Sequence, residues 1–184
     1  MPDPRAPVVV GVAQLLQRPD DPRDALEAAA LMTEVTRAAA ADAGAPRLLP
    51  AVELVVAVNG AWSYADPARL VADSIGASSA RSARTTHGGN TPQLVVDIVA
   101  ERIAAGELDV AVVVGAETIW SRRRLRRAGV ERDVTAQDEG VVPDEELGKP
   151  LDINSDFEQS RRIVQPVEVY PLFESAIRDR KSVV

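Results

Sequence analysis

An α/β fold, with a parallel or mostly parallel sheet covered by helices, is predicted by three features of the chain. Short β-branched runs alternate with helical segments in the order β-α-β-α-β-α-β. Helix-start and helix-stop residues separate them: Asp21-Pro22 and Asp66-Pro67 open helices, and Gly44 and Gly76 close them. Hydrophobic residues make up 46% of the chain but aromatics only 3%, and Ala and Val dominate, which suits closely packed helix and sheet layers.

The elements follow in order. Pro7 to Gln14, "PVVVGVAQ", is a β-branched run of the kind buried in a parallel sheet. "LLQRPD", 15–20, is a polar connection. A helix is expected from Asp21 to Gly44, with Leu26, Ala29, Ala30 and Thr33 near one face, followed by Ala40 and Ala41. "ELVVAV", 53–58, is the second strand and ends at Asn59-Gly60. A short helix runs from Asp66-Pro67 to Ile75, and residues 80–86 form a less apolar strand. Pro92 to Ala105 is helical, with Leu94, Ile98 and Ile103 among its apolar positions. "LDVAVVVGAE", 108–117, has the strongest strand pattern in the chain.

The character changes after Trp120. Arg122 to Arg127 is basic, Asp138 to Glu146 is acidic, and Pro and Gly interrupt the pattern through residue 166. This stretch reads as an inserted or linking region rather than a continuation of the sheet. "VEVYPLFESAIR", 167–178, begins another element, a helix from about Pro171. The final "DRKSVV", 179–184, can be encoded by the opening of a common sequencing-library adapter. It is expected to be a non-native tail, which would make the protein a fragment.

Composition excludes several classes. A formal charge of −7 argues against general nucleic-acid binding. No apolar run approaches the ~20 residues of a membrane span, and "MPDPRAP" has no secretion-signal pattern. With no cysteine and one histidine, His87, neither a disulfide nor a thiolate or His-based metal site is expected. A soluble, cytoplasmic protein is the expectation.

"TTHGGNTPQL", 85–94, is a helix entrance with paired glycines between a strand and an apolar helix. Glycines permit a tight turn and close backbone approach, and a helix amino end favours a carbonyl oxygen or developing enolate. A glycine-rich entrance capped by Asn90 or Thr91, with Pro92 in the first turn, accounts structurally for the same stretch. His87 is either a proton shuttle or a polar residue closing a turn. "RRRLRR", 122–127, suits nucleotide phosphates or a solvated face paired with the acidic run or another subunit. Asn59-Gly60 and Trp62 read as turn and packing, and Tyr170 and Phe173 as anchors.

"TTHGGNTPQLVVDIVAERIAAGELDVAVVVGAE" resembles the thiolase superfamily where its nucleophile helix leads into the next strand. "VNGAWSYADPARLVADSIG" and "YPLFESAIR" are similar to its sterol-carrier-protein thiolase branch. The resemblance spans residues 7–178. It implies the N-terminal half of a thiolase-like fold over 1–120, the start of a loop domain over 121–178, and an acetyl-CoA acetyltransferase-like protein of lipid metabolism. It further implies acyl-CoA thioesters as substrate, no tightly bound cofactor and a homodimer. The family's Cys-x-Ser-Gly pattern, aligned on Ala105-Gly106-Glu107, puts the nucleophile at Gly88, with Asn90 and Thr91 at the Ser and Gly positions. Glycine cannot form an acyl-enzyme, so the resemblance leaves Gly88 as a backbone oxyanion donor, Gly89 and Asn90 as substrate contacts, and His87 as a secondary catalytic candidate. The essential histidine and second cysteine of thiolases come from a C-terminal half. Three functions compete: acyl transfer, a cysteine-free CoA-thioester aldolase, and a non-catalytic CoA-binding or partner subunit.

Overall fold

Strands form here where β-branched and small residues can be buried on both faces at once. In the computed structural model, which describes residues 5–150 and 154–181, β1 (Leu54–Ala57) is central and all its residues are buried. β2 (Arg81–Thr85) and β3 (Ala111–Val114) flank it, and β4 (Glu145–Leu147) lies outside β2. The order is β3-β1-β2-β4 and every pairing is parallel, with Val56 opposite both Ala83 and Val113. The expected parallel α/β sheet is therefore observed.

Alternation along β1 assigns its residues to two cores. Val55 and Ala57 pack against α1 (Ala28–Asp42) and α2 (Pro67–Ser74), through Ala28, Ala29, Met32, Ala68, Val71 and Ala72. Leu54 and Val56, with Ala83 of β2, pack on the other face against Val95 and Val99 of α3 (Thr91–Ala105). The punctuation of α2 works as its sequence predicts, and Gly106 does for α3 what Gly76 does for α2. The Asp66 carboxylate accepts from the Arg69 N–H at 2.9 Å, and Gly76 and Gly106 end α2 and α3 at φ of 82° and 75°.

Four expectations change. Pro7–Gln14 has no regular secondary structure and pairs with no strand among the described residues; Val8, Val9, Val10 and Val12 are exposed. An extended run becomes a strand only by exchanging backbone hydrogen bonds with a neighbour. Here the Val12 N–H instead donates to Asp42 at the end of α1, at 2.9 Å. Asp21 caps a single 3-10 turn, Pro22–Asp24, and α1 begins only at Ala28. Its buried face runs through Ala28, Ala29, Met32 and Thr36, leaving Leu26 and Ala41 exposed. β3 is shorter than its sequence predicts. Among the described residues only β1 pairs with it, so Val113 stays 39% exposed.

The fourth change concerns the stretch after Trp120. α4 (Ile119–Arg127) follows β3, and the end of the acidic run returns to the sheet as β4 instead of remaining a linker. Arginines neutralise it: Arg81 and Arg102 both reach Glu145, at 3.0 and 2.6 Å, Arg84 meets Glu146 at 3.3 Å, and Arg69 meets Asp144 at 3.0 Å.

The chain divides into two compact units, Met1–Lys149 and Pro150–Val184. In the second, α5 (Asp156–Ser160) opens on a capping box between Ser155 and Glu158. α6 (Pro166–Lys181) begins before the expected Pro171, because the Glu168 carboxylate accepts from the Val164 and Gln165 N–H groups and fixes the first turn. Pro171 is inside the helix. Residues 179–181 of the expected non-native tail continue α6, and 182–184 lie outside the described residues.

Candidate functional site

The connection leaving β1 passes to α2 on one face of the sheet, and the one leaving β2 passes to α3 on the other. Between adjacent strands whose connections diverge in this way, a crevice opens beyond the carboxyl ends. Residues 58–66 leave the carboxyl end of β1 and residues 86–90 that of β2, so the topology assigns them as its two walls and places "TTHGGNTPQL" there.

The first wall is tightly specified. The Asn59 N–H donates to the hydroxyl of Thr85 at 2.9 Å, and Thr85 is wholly buried. The Ala61 N–H donates to the Glu117 carboxylate at 2.5 Å, and the Trp62 indole N–H donates to the Ala116 carbonyl at 3.1 Å. A Cβ on Gly60 would lie 2.5 Å from the Trp62 indole nitrogen and 2.6 Å from the Glu117 carboxylate, so only glycine fits. Asn59-Gly60 and Trp62 thus serve turn and packing.

The second wall is looser. The Thr91 hydroxyl and N–H both donate to the Gly88 carbonyl, at 2.8 and 3.2 Å, closing the turn into α3. Asn90 occupies the N-cap position, but its side chain makes no capping bond. The N–H groups of Gly88, Gly89, Asn90 and Gln93 consequently have no partner among the described residues. Neither Gly88 nor Gly89 has a positive φ, so the backbone does not require glycine at either position. A Cβ at Gly88 would lie 2.9 Å from the Asn90 side-chain oxygen and 3.3 Å from a Thr91 methyl, whereas Gly89 faces open space. His87 is exposed and makes no hydrogen bond or ion pair among the described residues.

Gly88, Gly89, Asn90 and His87 are therefore neighbours at one helix entrance, with main-chain donors that have no partner among the described residues. Among the described residues no group of three or more His, Cys, Asp or Glu side chains could hold a metal ion. An open cleft of ≈ 530 Å³, lined in part by Val52, Glu53, Arg81 and Glu107, lies at the opposite, amino ends of the strands.

Two of the five arginines in the cluster make structural hydrogen bonds. Arg122 donates to the Ala61 carbonyl, and Arg124 grips the carbonyls of Pro19 and Asp20 at 2.9 and 2.7 Å. Arg123, Arg126 and Arg127 are exposed. The acidic run pairs with other arginines, on α2, β2 and α3. Within α6 the Tyr170 and Phe173 rings lie 6.5 Å apart, and the two residues are 64% and 59% exposed.

Sequence reasoning missed Thr85, whose hydroxyl joins the two walls, and Glu27, which accepts from Tyr64 and Thr135. Thr85 sits in a strand pattern like any β-branched residue. Glu27 meets its partners 37 and 108 positions away, so no local spacing announces it.

No protein-family model and no curated protein matches the chain. Among solved structures it is similar to the crystal structure of a monomeric SCP2-thiolase-like protein type 1 from Mycobacterium smegmatis, with 34% identity and a TM-score of 0.56. The match covers 64% of this chain and 24% of that one, so the chain spans about a quarter of that protein's length. The sheet and its covering helices are those of a thiolase-like α/β fold.

Proposed function

We propose that this chain contributes an acyl-CoA thioester site at the crevice beyond β1 and β2. The thioester carbonyl oxygen would point at the Gly88 N–H and the first turn of α3. The observation that carries this reading is the group of uncovered N–H donors at a helix start within a thiolase-like fold. Such donors stabilise negative charge developing on a carbonyl oxygen, and one preorganised donor can be worth ~3 kcal/mol in an oxyanion site. The helix field acts in the same direction.

Gly88 supplies no nucleophile, and the 184-residue sequence contains no cysteine. The arrangement supports polarising a thioester or holding its enolate, not forming a Cys acyl-enzyme. This favours a second reading over acyl transfer: a cysteine-free CoA-thioester aldolase, in which the same donors hold the enolate while a base supplied from elsewhere moves the proton. A non-catalytic acyl-CoA-binding subunit uses the same donors without turnover.

Calorimetric titration with acetyl-CoA tests the site directly. Gly88→Pro, which deletes one donor, is expected to weaken binding about tenfold; unchanged affinity would remove Gly88 from the site. Intact mass after incubation with acetyl-CoA is expected to show no covalent acetyl group. Thiolysis of acetoacetyl-CoA, retro-aldol release from a β-hydroxyacyl-CoA, or binding with neither reaction distinguishes the three functions. The homodimer implied by the family resemblance gains no support from a relative described as monomeric, and sedimentation of the purified chain measures its state. No helix among the described residues is long and apolar enough to cross a membrane.

A further inference from the structure

Residues 130–137 have no regular secondary structure, yet they are tied to the amino ends of α1 and α2 at successive points. The Arg132 guanidinium donates to the Ala25 carbonyl just before α1. Thr135 donates twice to the Glu27 carboxylate, by its N–H at 2.8 Å and by its hydroxyl. Gln137 forms a reciprocal pair with the Asp66 backbone, accepting its N–H at 2.9 Å and donating to its carbonyl at 2.8 Å.

The same Glu27 carboxylate accepts from the Tyr64 hydroxyl at 3.0 Å. Tyr64 is 7% exposed, and its ring lies 5.7 Å from that of Trp62, whose indole N–H holds the Ala116 carbonyl. A continuous path thus runs from Thr135 through Glu27, Tyr64 and Trp62 to the loop after β3. Burial alone would raise the pKa of Glu27, but the Thr135 and Tyr64 donors and Arg132 outweigh it and hold the carboxyl below its ordinary range.

Few apolar contacts secure residues 130–137: Val134 is 52% exposed and Val130 only half-buried. Segments held by polar contacts rather than by apolar burial open locally at low free-energy cost.

We infer that residues 130–137 are a strap that holds the 59–66 wall of the crevice in place, with Glu27 as the positioning residue that couples strap to wall. This goes beyond the acyl-CoA reading, because the coupling concerns the wall's mobility whatever ligand the crevice takes. When the strap detaches, the Glu27 carboxylate loses the Thr135 donors that fix it where it accepts from Tyr64, and the Trp62–Tyr64 pair gains freedom beside the Gly60 turn. Strap and wall therefore open together, while the α3 entrance, closed by its own Thr91–Gly88 bonds, stays as it is.

Hydrogen–deuterium exchange on the 184-residue chain, without ligand, tests the coupling. Glu27→Gln is expected to speed exchange about tenfold at both 130–137 and 61–66, with β1 and α3 unchanged. Faster exchange confined to 130–137 would overturn the coupling, and so would no change at either segment. If Glu27→Gln loosens the whole unit, Thr135→Val decides the matter, because it leaves α1 and its carboxylate in place. Faster exchange at 61–66 in that variant supports the strap, and unchanged exchange there refutes it. Failure of acetyl-CoA to bind would leave these outcomes untouched, so the two proposals fail separately.

Discussion

Gly60 and Gly88 both border the crevice, and a single methyl group separates their roles. At Gly60 an added Cβ meets the Trp62 indole, the Glu117 carboxylate and the Ala116 carbonyl, all held by their own hydrogen bonds. Gly60→Ala is therefore expected to cost about 1–3 kcal/mol in urea unfolding, the usual penalty of overpacking. At Gly88 the nearest obstacle is the free end of the Asn90 side chain, and φ is ordinary. Gly88→Ala should change stability by less than about 1 kcal/mol; a larger loss in the same titration would mean that the turn itself needs glycine. The helix entrance around Gly88 was legible because cap, proline and apolar run are contiguous. The demand for glycine at position 60 was not, since Glu117 arrives from 57 residues away and only the fold brings it there.

Among the elements, β4 shows most clearly how charge can hide a strand. Charged residues are depleted in strands generally, but edge strands carry them readily. "EEL" also finds its counter-ions on β2 and α3, far along the chain. The neighbouring Asp144 is held below the ordinary carboxylate range by the Ser82 N–H, then by the Ser82 hydroxyl and by Arg69, with burial opposing. A lowered folded pKa gives stability that is present above the unfolded value of ~3.9 and is lost as pH falls through the folded value. Exchange protection of residues 144–147 is accordingly expected to be intact at neutral pH and to fall in acid below about pH 4. Protection that persists unchanged at pH 2 would contradict this. Leu54, fully buried on the central strand, sets the opposite limit: Leu54→Ala should cost about 2–5 kcal/mol, read as a shift in the unfolding midpoint. Pro7–Gln14 reverses the lesson of β4. Its composition is that of a strand, but composition provides no pairing partner.

At the scale of the whole molecule, the run β1-α2-β2-α3-β3 was readable because α2 and α3 carry their own proline starts and glycine stops, whereas α4 and β4 were not. The sheet order was not, since β-branched runs do not state which neighbour they join. Val8, Val9, Val10, Val12, Leu15 and Leu16 remain exposed along one stretch of the first unit, an unusual density of apolar surface. Purified protein is expected to bind an apolar fluorescent dye there, and the double substitution Val9→Lys with Val10→Lys should reduce that signal while leaving the unfolding midpoint unchanged. A midpoint that drops would show that these valines are packed in solution.

The donors at the head of α3 belong to the main chain, and alanine scanning cannot remove them. Replacing His87 or Asn90 alters what surrounds the crevice while the N–H groups of Gly88, Gly89, Asn90 and Gln93 remain without a partner among the described residues. A survey of side chains would therefore report a site with no essential residue. Proline substitution or amide-to-ester exchange would expose the proposed thioester site, because a changed side chain at position 88 leaves the main-chain donors in place.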